Sequence, residues 1–485
     1  MKSVPEIQTT PPTLAGAPTP VPGIVPWLVA SAFFMQMLDG TIVNIALPSM
    51  ARDLGVDALR MQSVVIAYLL TAALFIPLSG WLADKVGTRR VFFAAIVLFT
   101  TGSALCAAAN SLTFLVAARI VQGLGGALMV PVGRLTILKS YPRTDLVRVL
   151  SFVTIPGMLG PLFGPVAGGF LVEYASWHWI FLINIPVGLA GCLLTLRYLP
   201  SLKEAGTGRF DLAGFIIFGA SMVLLSFAME GFGEMHMPKV QAIALSAMGL
   251  ALMCVYWLRC GRMKNALFST RLFHIRSFSV GIFGNIFSRL GAGAMPFMTP
   301  LFLQLVLGYS PFKAGMFMMP TAMAAIAAKR AITPLVKRVG FRRLLSVNTV
   351  LLALLIACFS LVGRDISHGW LLALLTVFGA VNATQFTAMN SLALIDLPEH
   401  DAASGNSLLS VTMQISASAG VATAAALIDG FGAALAESEG MLTVFHYSYI
   451  AVGLITLASA GIYLQTPKDT GKDVPARDAE TPQDI

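Results

Sequence analysis

The sequence has little charge for its length. Only 11% of its 485 residues are Asp, Glu, Lys or Arg, whereas 56% are hydrophobic. A soluble domain carries about a quarter charged residues, because its surface faces water. The composition therefore excludes a soluble enzyme and a nucleic-acid-binding protein, and it indicates a protein whose solvent is mostly lipid.

The sequence also lacks the patterns of metal and catalytic sites. Its five cysteines form no CxxC pair, which argues against a zinc site and a disulfide framework. It contains no HExxH, GxSxG, Walker or GxGxxG pattern, so we expect no enzyme and no cofactor. Without a nucleotide-binding loop, uphill transport would draw on an ion gradient. The cysteines are Cys106, Cys192, Cys254, Cys260 and Cys358.

Apolar residues occur in long runs. A helix that crosses a hydrocarbon layer of about 30 Å needs roughly 20 apolar residues, and we count fourteen such runs, from Trp27–Pro48 to Met441–Leu464. Residues 1–25 are rich in Pro, Thr and Ala and show no signal pattern, so we expect a disordered cytoplasmic tail there. The sequence therefore predicts an all-α polytopic membrane protein with fourteen transmembrane helices.

The basic residues predict the orientation. An even number of crossings places both termini on one side, and Lys and Arg collect in cytoplasmic loops. If the termini are inside, the inner segments hold most of the 32 basic residues, and the outer segments hold only Arg52, Arg60, Lys239, Lys313 and Arg364. We therefore expect both termini in the cytoplasm.

A weak internal repeat predicts two related halves. The segment Gly80–Arg90, between the second and third helices, aligns with Thr333–Arg343, between the tenth and eleventh. Parallel repeats of six helices, with the substrate path between them, build a major group of secondary transporters. We predict a 6+2+6 plan, with a six-helix bundle over 26–200, a two-helix insert over 201–262, a second bundle over 263–466 and a cytoplasmic tail over 467–485.

The first repeated segment has the composition of a gate. Its glycines allow close helix approach and a tight turn, and its Asp can form ion pairs that exist in only one conformation. An ordinary cytoplasmic loop, rich in Lys and Arg, would also explain the charges of this segment, although not its spacing. The ordered spacing, however, resembles the signature loop of the major facilitator superfamily, with Thr88 where a basic residue is usual. The predicted gating residues are Gly80, Asp84, Lys85, Gly87, Arg89 and Arg90.

A run of glycine and proline lies in the fifth predicted helix. Glycines four residues apart form a smooth face for close packing, and prolines allow bending. Such a face also serves ordinary helix packing. The run nevertheless resembles the antiporter motif of the same superfamily, which importers usually lack, and it therefore favours export. Its residues are Gly160, Pro161, Gly164, Pro165, Gly168 and Gly169.

Asp39 is the acidic residue that lies deepest in a predicted helix. It lies about twelve residues, or about 18 Å, into the first helix, near the midplane, where a carboxylate is costly and usually functional. Burial and a nearby Arg119 would act in opposite directions on its proton affinity, which suits a reversible proton carrier. The alternative is a structural Asp39 that pairs near Thr41 or Asn44.

Together these motifs resemble one family over nearly the whole chain. With the runs Arg119–Gly126 and Trp177–Gly188, they resemble the fourteen-helix drug:proton antiporters, the second such family of the major facilitator superfamily. This resemblance implies a major facilitator fold and proton-coupled multidrug efflux by antiport across the bacterial inner membrane. It implies a small-molecule substrate and protons as partners; we expect a lipid-embedded monomer without nucleic acid, cofactor or metal.

Five cations inside predicted helices leave the substrate class open. A carrier of lipophilic cations is expected to line its cavity with acids and aromatic rings, yet these cations outnumber deep acids by five to one. Structural roles or snorkelling would explain some of them. An anionic metabolite, such as a carboxylate or a metal-carboxylate chelate like citrate or iron-citrate, is the alternative substrate. The candidate substrate-path residues are Asn44, Gln122, Arg134, Arg289, Lys329 and Arg330.

A transport-dead membrane sensor that kept the fold is the alternative from another class. Such a sensor would tolerate loss of the buried charge and would need a signalling domain. The loops and the segment after about Thr466 are too short to form a signalling domain. We therefore expect a transporter.

Overall fold

The fold is a bundle of long helices. The structure, a computed structural model, describes residues 23–204, 208, 210–233, 238–263, 266–398 and 401–467. Within these residues every regular element is helical. Most of the predicted tails, residues 1–22 and 468–485, lies outside the described residues. The predicted domain boundaries stay a prediction.

Thirteen helices in the described part are long and apolar enough to cross a membrane. One of them, Pro311–Leu361, has 51 residues, which would span about 76 Å if straight. It is interrupted at Gly340, whose φ of 77° and ψ of 159° are not helical. It therefore contains two crossings, and the prediction of an all-α fold with fourteen membrane helices is confirmed.

The helices before the insert are α1 Ile24–Asp53, α2 Gln62–Val86, α3 Thr88–Ala107, α4 Leu112–Ser140, α5 Arg143–Tyr174, α6 Trp179–Leu182 and α7 Asn184–Tyr198. The insert consists of α8 Leu212–Gly233 and α9 Lys239–Cys260. The second half contains α10 Arg276–Ala292, α11 Met295–Leu301, α12 Pro311–Cys358, α13 His368–Leu394, α14 Ala402–Ala458 and α15 Ala460–Tyr463. Short 3₁₀ turns lie at Leu59–Met61, Thr270–His274 and Phe359–Leu361, and a π-helical turn at Phe302–Val306.

The internal repeat is visible in the backbone. Gly87, between α2 and α3, has a φ of 106° and a ψ of 140°, and Gly340, its aligned residue in α12, has a similar conformation. Side chains with a Cβ rarely adopt a positive φ, whereas glycine does so readily. The same residue type therefore makes the same reversal of direction in both halves.

Serine side chains begin three of the long helices. Ser111, Ser310 and Ser367 accept hydrogen bonds from the backbone amides of Phe114, Lys313 and Trp370, at 3.2–3.3 Å. Such N-caps satisfy amides that have no partner within the helix. These three helices, α4, α12 and α13, all start at the end that the predicted orientation places outside.

Each half packs mainly within itself, and few helices join the halves. In the first half α1 packs on α5, while α2 and α3 pack on α4; in the second, α12 packs on α13 and α10 on α14. The halves meet through α5 with α12, α2 with α14, and α1 with α11. The insert helix α8 packs on α9, α14 and α2, so it lies beside the junction of the halves.

Glycines bring α5 and α12 into close contact at the outer end. A Cβ on Gly169 would lie 2.8 Å from the Cα of Phe312, and one on Gly315 would lie 2.8 Å from the carbonyl carbon of Pro165. Contacts this short do not occur in folded proteins, so the backbones approach only because both positions lack a side chain.

Two hydrogen bonds between the halves lie at the same end. The Phe312 amide donates to Glu173 Oε2 at 2.9 Å, and Gln304 Nε2 donates to the Ile45 carbonyl at 2.9 Å. Gln304 belongs to the π-helical turn, a distortion that is frequent at functional positions. The outer end of the interface between the halves is therefore closed.

The opposite ends of the same two helices are more open. On α12, residues 329–331 and 333–335 are exposed, whereas Ile332 and Val336 are buried. On α5, Ile155 is 58% exposed. The glycine-mediated contact of α5 with α12 therefore lies at the outer end, and exposed residues follow it toward the end that the predicted orientation places in the cytoplasm.

Gly169→Ala should weaken the outer closure, because its methyl group would overlap the α12 backbone. We expect longer distances between spin labels at two exposed outer positions, Tyr174 and Arg364. Gly430→Ala is the matched control, because no atom lies within 4 Å of a Cβ there. An unchanged distance distribution in Gly169→Ala would mean that this contact does not hold the outer end closed.

Candidate functional site

A cavity of about 450 Å³ lies between the two halves. This volume is typical of small-molecule sites. Thr41 and Asn44 line it from α1, and Pro161 and Pro165 line it from α5. Helices α10 to α14 supply the other wall. The cavity therefore lies where the repeat predicts the substrate path.

Asp39 forms an ion pair with Arg119 next to this cavity. Arg119 Nη1 lies 2.7 Å from Asp39 Oδ2, and the two side chains are at most 2% exposed. The same Nη1 donates to Gln122 Oε1 at 2.6 Å, while Gln122 Nε2 donates to Asp39 Oδ1 at 2.8 Å. Three side chains thus close a ring of direct hydrogen bonds.

Three further side chains surround the ring. Ser103 accepts hydrogen bonds from Gln122 Nε2 at 2.8 Å and from Asn184 Nδ2 at 3.2 Å. The Arg119 guanidinium lies 4.3 Å from the centre of the Tyr68 ring, a favourable cation–π geometry. The network therefore draws on α1, α2, α3, α4 and α7. Sequence reasoning missed Ser103, Asn184 and Tyr68, although Asn184 lies in the quoted run Trp177–Gly188.

Asp39 lies on the side of α1 away from the cavity. Successive helical residues are rotated by about 100°, so Asp39 and Thr41 lie on nearly opposite faces. Thr41 Oγ1 donates to the Met37 and Leu38 carbonyls, and Asn44 Nδ2 donates to the Gly40 carbonyl. The alternative pairing of Asp39 near Thr41 or Asn44 is therefore not formed. One helix separates the ion pair from the cavity.

The glycine and proline run of α5 contacts both α1 and α12. A Cβ on Gly160 would lie 2.7 Å from the Leu38 nitrogen, and one on Gly168 would lie 2.7 Å from Ile42 Cγ1. A Cβ on Gly164 would overlap the Thr41 hydroxyl. These glycines face α1, whereas Gly169 faces α12. Pro161 and Pro165 line the cavity between these two contacts.

The predicted gating loop makes its ion pairs within the first half. Lys139 Nζ lies 2.6 Å from Asp84 Oδ1 and 2.7 Å from Glu204 Oε1. Lys85 Nζ lies 4.5 Å above the Trp81 ring. Gly87 makes the turn, Arg90 is exposed, Arg89 is half-buried, and Gly80 has open space around it. Sequence reasoning missed the partners Lys139 and Glu204.

Thr88 anchors the segment that leads to the insert. Its hydroxyl donates to the Pro200 carbonyl at 2.9 Å and accepts from the Leu202 amide at 3.2 Å. Thr88 is fully buried, so a basic side chain there would be buried without a described partner. This contact explains the departure from the family pattern at this position.

Arg289 is held in the cavity wall without an acid. Its Nε donates to Asn285 Oδ1 at 3.0 Å, and its guanidinium lies 4.0 Å from the centre of the Phe386 ring. Asn285 in turn donates to Asn390 Oδ1 at 3.1 Å. Among the described residues, the charged side chains that line the cavity are Arg289 and Lys329.

The remaining substrate-path candidates lie apart from this wall. Asn44 lines the cavity, whereas Gln122 belongs to the Asp39 network. Arg134 and Arg330 are exposed and are not among the lining residues. The structure thus brings Asn44, Arg289 and Lys329 together around one cavity.

Removing one partner of the ion pair should destabilise the protein strongly. Arg119→Gln leaves a buried unpaired carboxylate, and such a loss costs about 3–5 kcal/mol. We expect a lower apparent melting temperature in detergent, partly restored in the double variant Asp39→Asn/Arg119→Gln. Asp84→Asn is the control, because its pair with Lys139 is only partly buried and ion pairs near the surface contribute about 1 kcal/mol or less. Additive effects in the double variant would contradict this coupling.

Comparisons with known proteins give the family. Residues 29–421 match the sequence model of the Major Facilitator Superfamily. The chain is 48% identical over 449 residues to the "Putative multidrug resistance protein MdtD" of Pectobacterium atrosepticum, covering 92% of this chain and 96% of the relative. The protein of the same name from Serratia proteamaculans is also 48% identical, with 92% and 93% covered.

Solved structures share the fold at low sequence identity. A POT family transporter in complex with a thioalcohol-conjugated peptide superposes with a TM-score of 0.66 at 19% identity, covering 91% of this chain and 95% of that one. The nucleoside transporter NupG superposes with a TM-score of 0.62 at 14% identity, covering 91% and 99%. The chain therefore belongs to the major facilitator superfamily and is a multi-pass membrane transporter.

Proposed function

We propose that the protein exports small molecules, as a multidrug or toxic-compound efflux transporter, in exchange for protons. It acts in the bacterial inner membrane as a monomer, with both termini in the cytoplasm and no enzymatic activity. The names of its relatives support the substrate class. The glycine and proline run that joins α1, the cavity and α12 supports export.

The observation that carries the proposal is the ion pair of Asp39 and Arg119 beside the cavity. While Asp39 is ionised, each charge compensates the other. When Asp39 takes up a proton, Arg119 remains a buried cation without a counter-ion, which is costly in a low dielectric. Protonation therefore favours any conformation in which Arg119 reaches water or another acceptor.

Helix α1 transmits this change to the substrate. It carries Asp39 on one face and the cavity residues Thr41 and Asn44 on the other. Its outer part packs on α11 and supplies the Ile45 carbonyl that binds Gln304 of the second half. A movement of α1 that releases Arg119 thus alters both the cavity and the outer contact. In exchange for the exported substrate, Asp39 takes up a proton while the cavity is open to the outside, and the protonated carrier returns to the outer-closed state, where the proton leaves to the cytoplasm.

The gating loop changes partners in the same cycle. In the outer-closed structure Asp84 is bound to Lys139 of its own half. When the cytoplasmic end closes, the loop meets the second half, and the partly exposed pair exchanges its contacts at low cost. The proton gradient supplies the work, because about 100 mV provides roughly 2.3 kcal/mol for each charge moved.

Asp39→Asn tests the coupling. The amide keeps the shape of the side chain but cannot take up and release a proton. Substrate-induced proton efflux from acid-loaded everted vesicles should therefore fall at least about tenfold. Insertion of the protein into the membrane should be preserved. A lipophilic cation serves as the substrate probe. Asp365→Asn, which removes an exposed carboxylate, is the control and should transport normally. Persistent proton efflux in Asp39→Asn would exclude Asp39 as the coupling residue.

An anionic metabolite is the second candidate substrate. Arg289 and Lys329 line the cavity, and its described lining contains no acid. A cation near the midplane costs about 2.5–3.5 kcal/mol on insertion scales, unless a partner or a wet cavity compensates it. The one deep carboxylate, Asp39, is bound to Arg119 and lies behind α1. A carboxylate or metal-carboxylate chelate would supply the missing negative charge.

Arg289→Gln separates the two substrate classes. If the substrate is anionic, transport of citrate or iron-citrate should fall about tenfold or more, whereas transport of a lipophilic cation should be unchanged or improved. Arg330→Gln is the control, because Arg330 is exposed and does not line the cavity. Loss of cation transport in a protein that never carries carboxylates would assign Arg289 a structural role and favour drug efflux.

A further inference from the structure

A second cavity lies between the insert and the second half. It has a volume of about 610 Å³ and is lined by α8, α9, α10 and α14. Phe218, Met222 and Trp257 form its insert side, and Ile282 and Ile286 form its α10 side. We call it the insert groove. It is separate from the central cavity, and nothing in the proposed transport cycle uses it.

Two of the four hydroxyl groups that line the insert groove donate hydrogen bonds within the protein. Ser279 Oγ donates to the Phe273 carbonyl at 2.5 Å, and Ser416 Oγ donates to the Thr412 carbonyl at 2.6 Å. A molecule bound in the groove would therefore be stabilised mainly by dispersion contacts and by burial of its apolar surface, and it would need few polar groups. A hydrocarbon chain fits this chemistry.

The depth of the groove matches one leaflet. On α10 its lining ends at Ile286, which lies about 15 Å from Arg276 at 1.5 Å per residue. Half of a hydrocarbon layer of about 30 Å is also about 15 Å. The groove therefore extends from the membrane surface to the midplane, as an acyl chain of one leaflet does.

The surface end of the groove is cationic. An adjoining cavity of about 520 Å³ shares Phe273, Ser279 and Phe283 with the groove and is lined by His274, Arg276 and Gln465. His274 and Arg276 are exposed, and Arg276 Nε donates to the Gln465 carbonyl at 3.0 Å. Neither side chain lies within salt-bridge distance of a carboxylate in the described part of the chain.

We propose that the insert groove binds an anionic phospholipid of the leaflet that faces α10's first turn. One acyl chain lies between the insert and α10, and the phosphate contacts Arg276 and His274. Basic pockets between membrane helices on the cytoplasmic side are suited to anionic headgroups, and one interfacial cation favours an anionic lipid about fivefold. A neutral lipid would fill the groove but leave the charge of Arg276 uncompensated.

Trp257 provides the test, because it lines the groove. The full-length protein is reconstituted in vesicles of unbrominated phosphatidylcholine. One set of vesicles also contains brominated phosphatidylglycerol, and the other contains brominated phosphatidylcholine. The difference in fluorescence between the wild type and Trp257→Phe gives the signal of Trp257. We expect brominated phosphatidylglycerol to quench it at about fivefold lower mole fraction than brominated phosphatidylcholine.

Arg276→Gln should reduce that preference about fivefold, to near parity. Arg343→Gln removes an exposed cation from the loop of the second repeat and should leave the preference unchanged. Equal quenching of the wild type by both lipids would overturn the proposal, because the groove would then hold ordinary annular lipid. A preference that persists in Arg276→Gln would also overturn it, since the headgroup would not bind at this residue.

Discussion

The ion pair between Asp39 and Arg119 constrains the first half of the molecule more than any other described contact. Two opposite charges in a dry interior are tolerated only if both are close and fully hydrogen-bonded. To meet that condition, Gln122 forms hydrogen bonds of 2.8 Å or less with Arg119, Asp39 and Ser103. Asn184 and Tyr68 complete the surroundings. Five helices must therefore hold one relative arrangement, and α1 is fixed by polar contacts on one face and by glycines of α5 on another.

The second half carries no comparable charge balance. At the cavity, neutral amides join Arg289 to Asn285 and Asn390, and a second buried network joins Asn348, Gln385 and Thr349. The repeat thus conserves the backbone reversal at Gly87 and Gly340 but gives the two halves different chemistry. One half holds a compensated ion pair, and the other presents the cations Arg289 and Lys329 to the cavity. In the proposed transport cycle, this division would separate proton coupling from substrate recognition.

The sequence was sufficient for the fold, and it singled out individual polar residues that the structure buries, such as Asp39 and Arg119. Long apolar runs, glycine turns and the repeated loop predict helices and their number, because each depends on local composition. The depth of Asp39 followed from its position along one helix. The pairing of side chains did not follow, because Gln122, Ser103 and Asn184 meet only through packing between helices. Thr88 was recognised as an unusual residue, but its bonds to Pro200 and Leu202 depend on where a distant segment returns.

The anchored segment after α7 has a mechanical consequence. Thr88 and Trp81 hold that segment to the first half, with Trp81 Nε1 donating to the Gly208 carbonyl at 2.9 Å, while the following helix α8 packs on α14 of the second half. The insert is thus in contact with both halves. In the proposed transport cycle, this attachment on two sides limits how far the halves can rotate relative to each other, because a larger rotation would have to break one of the two sets of contacts.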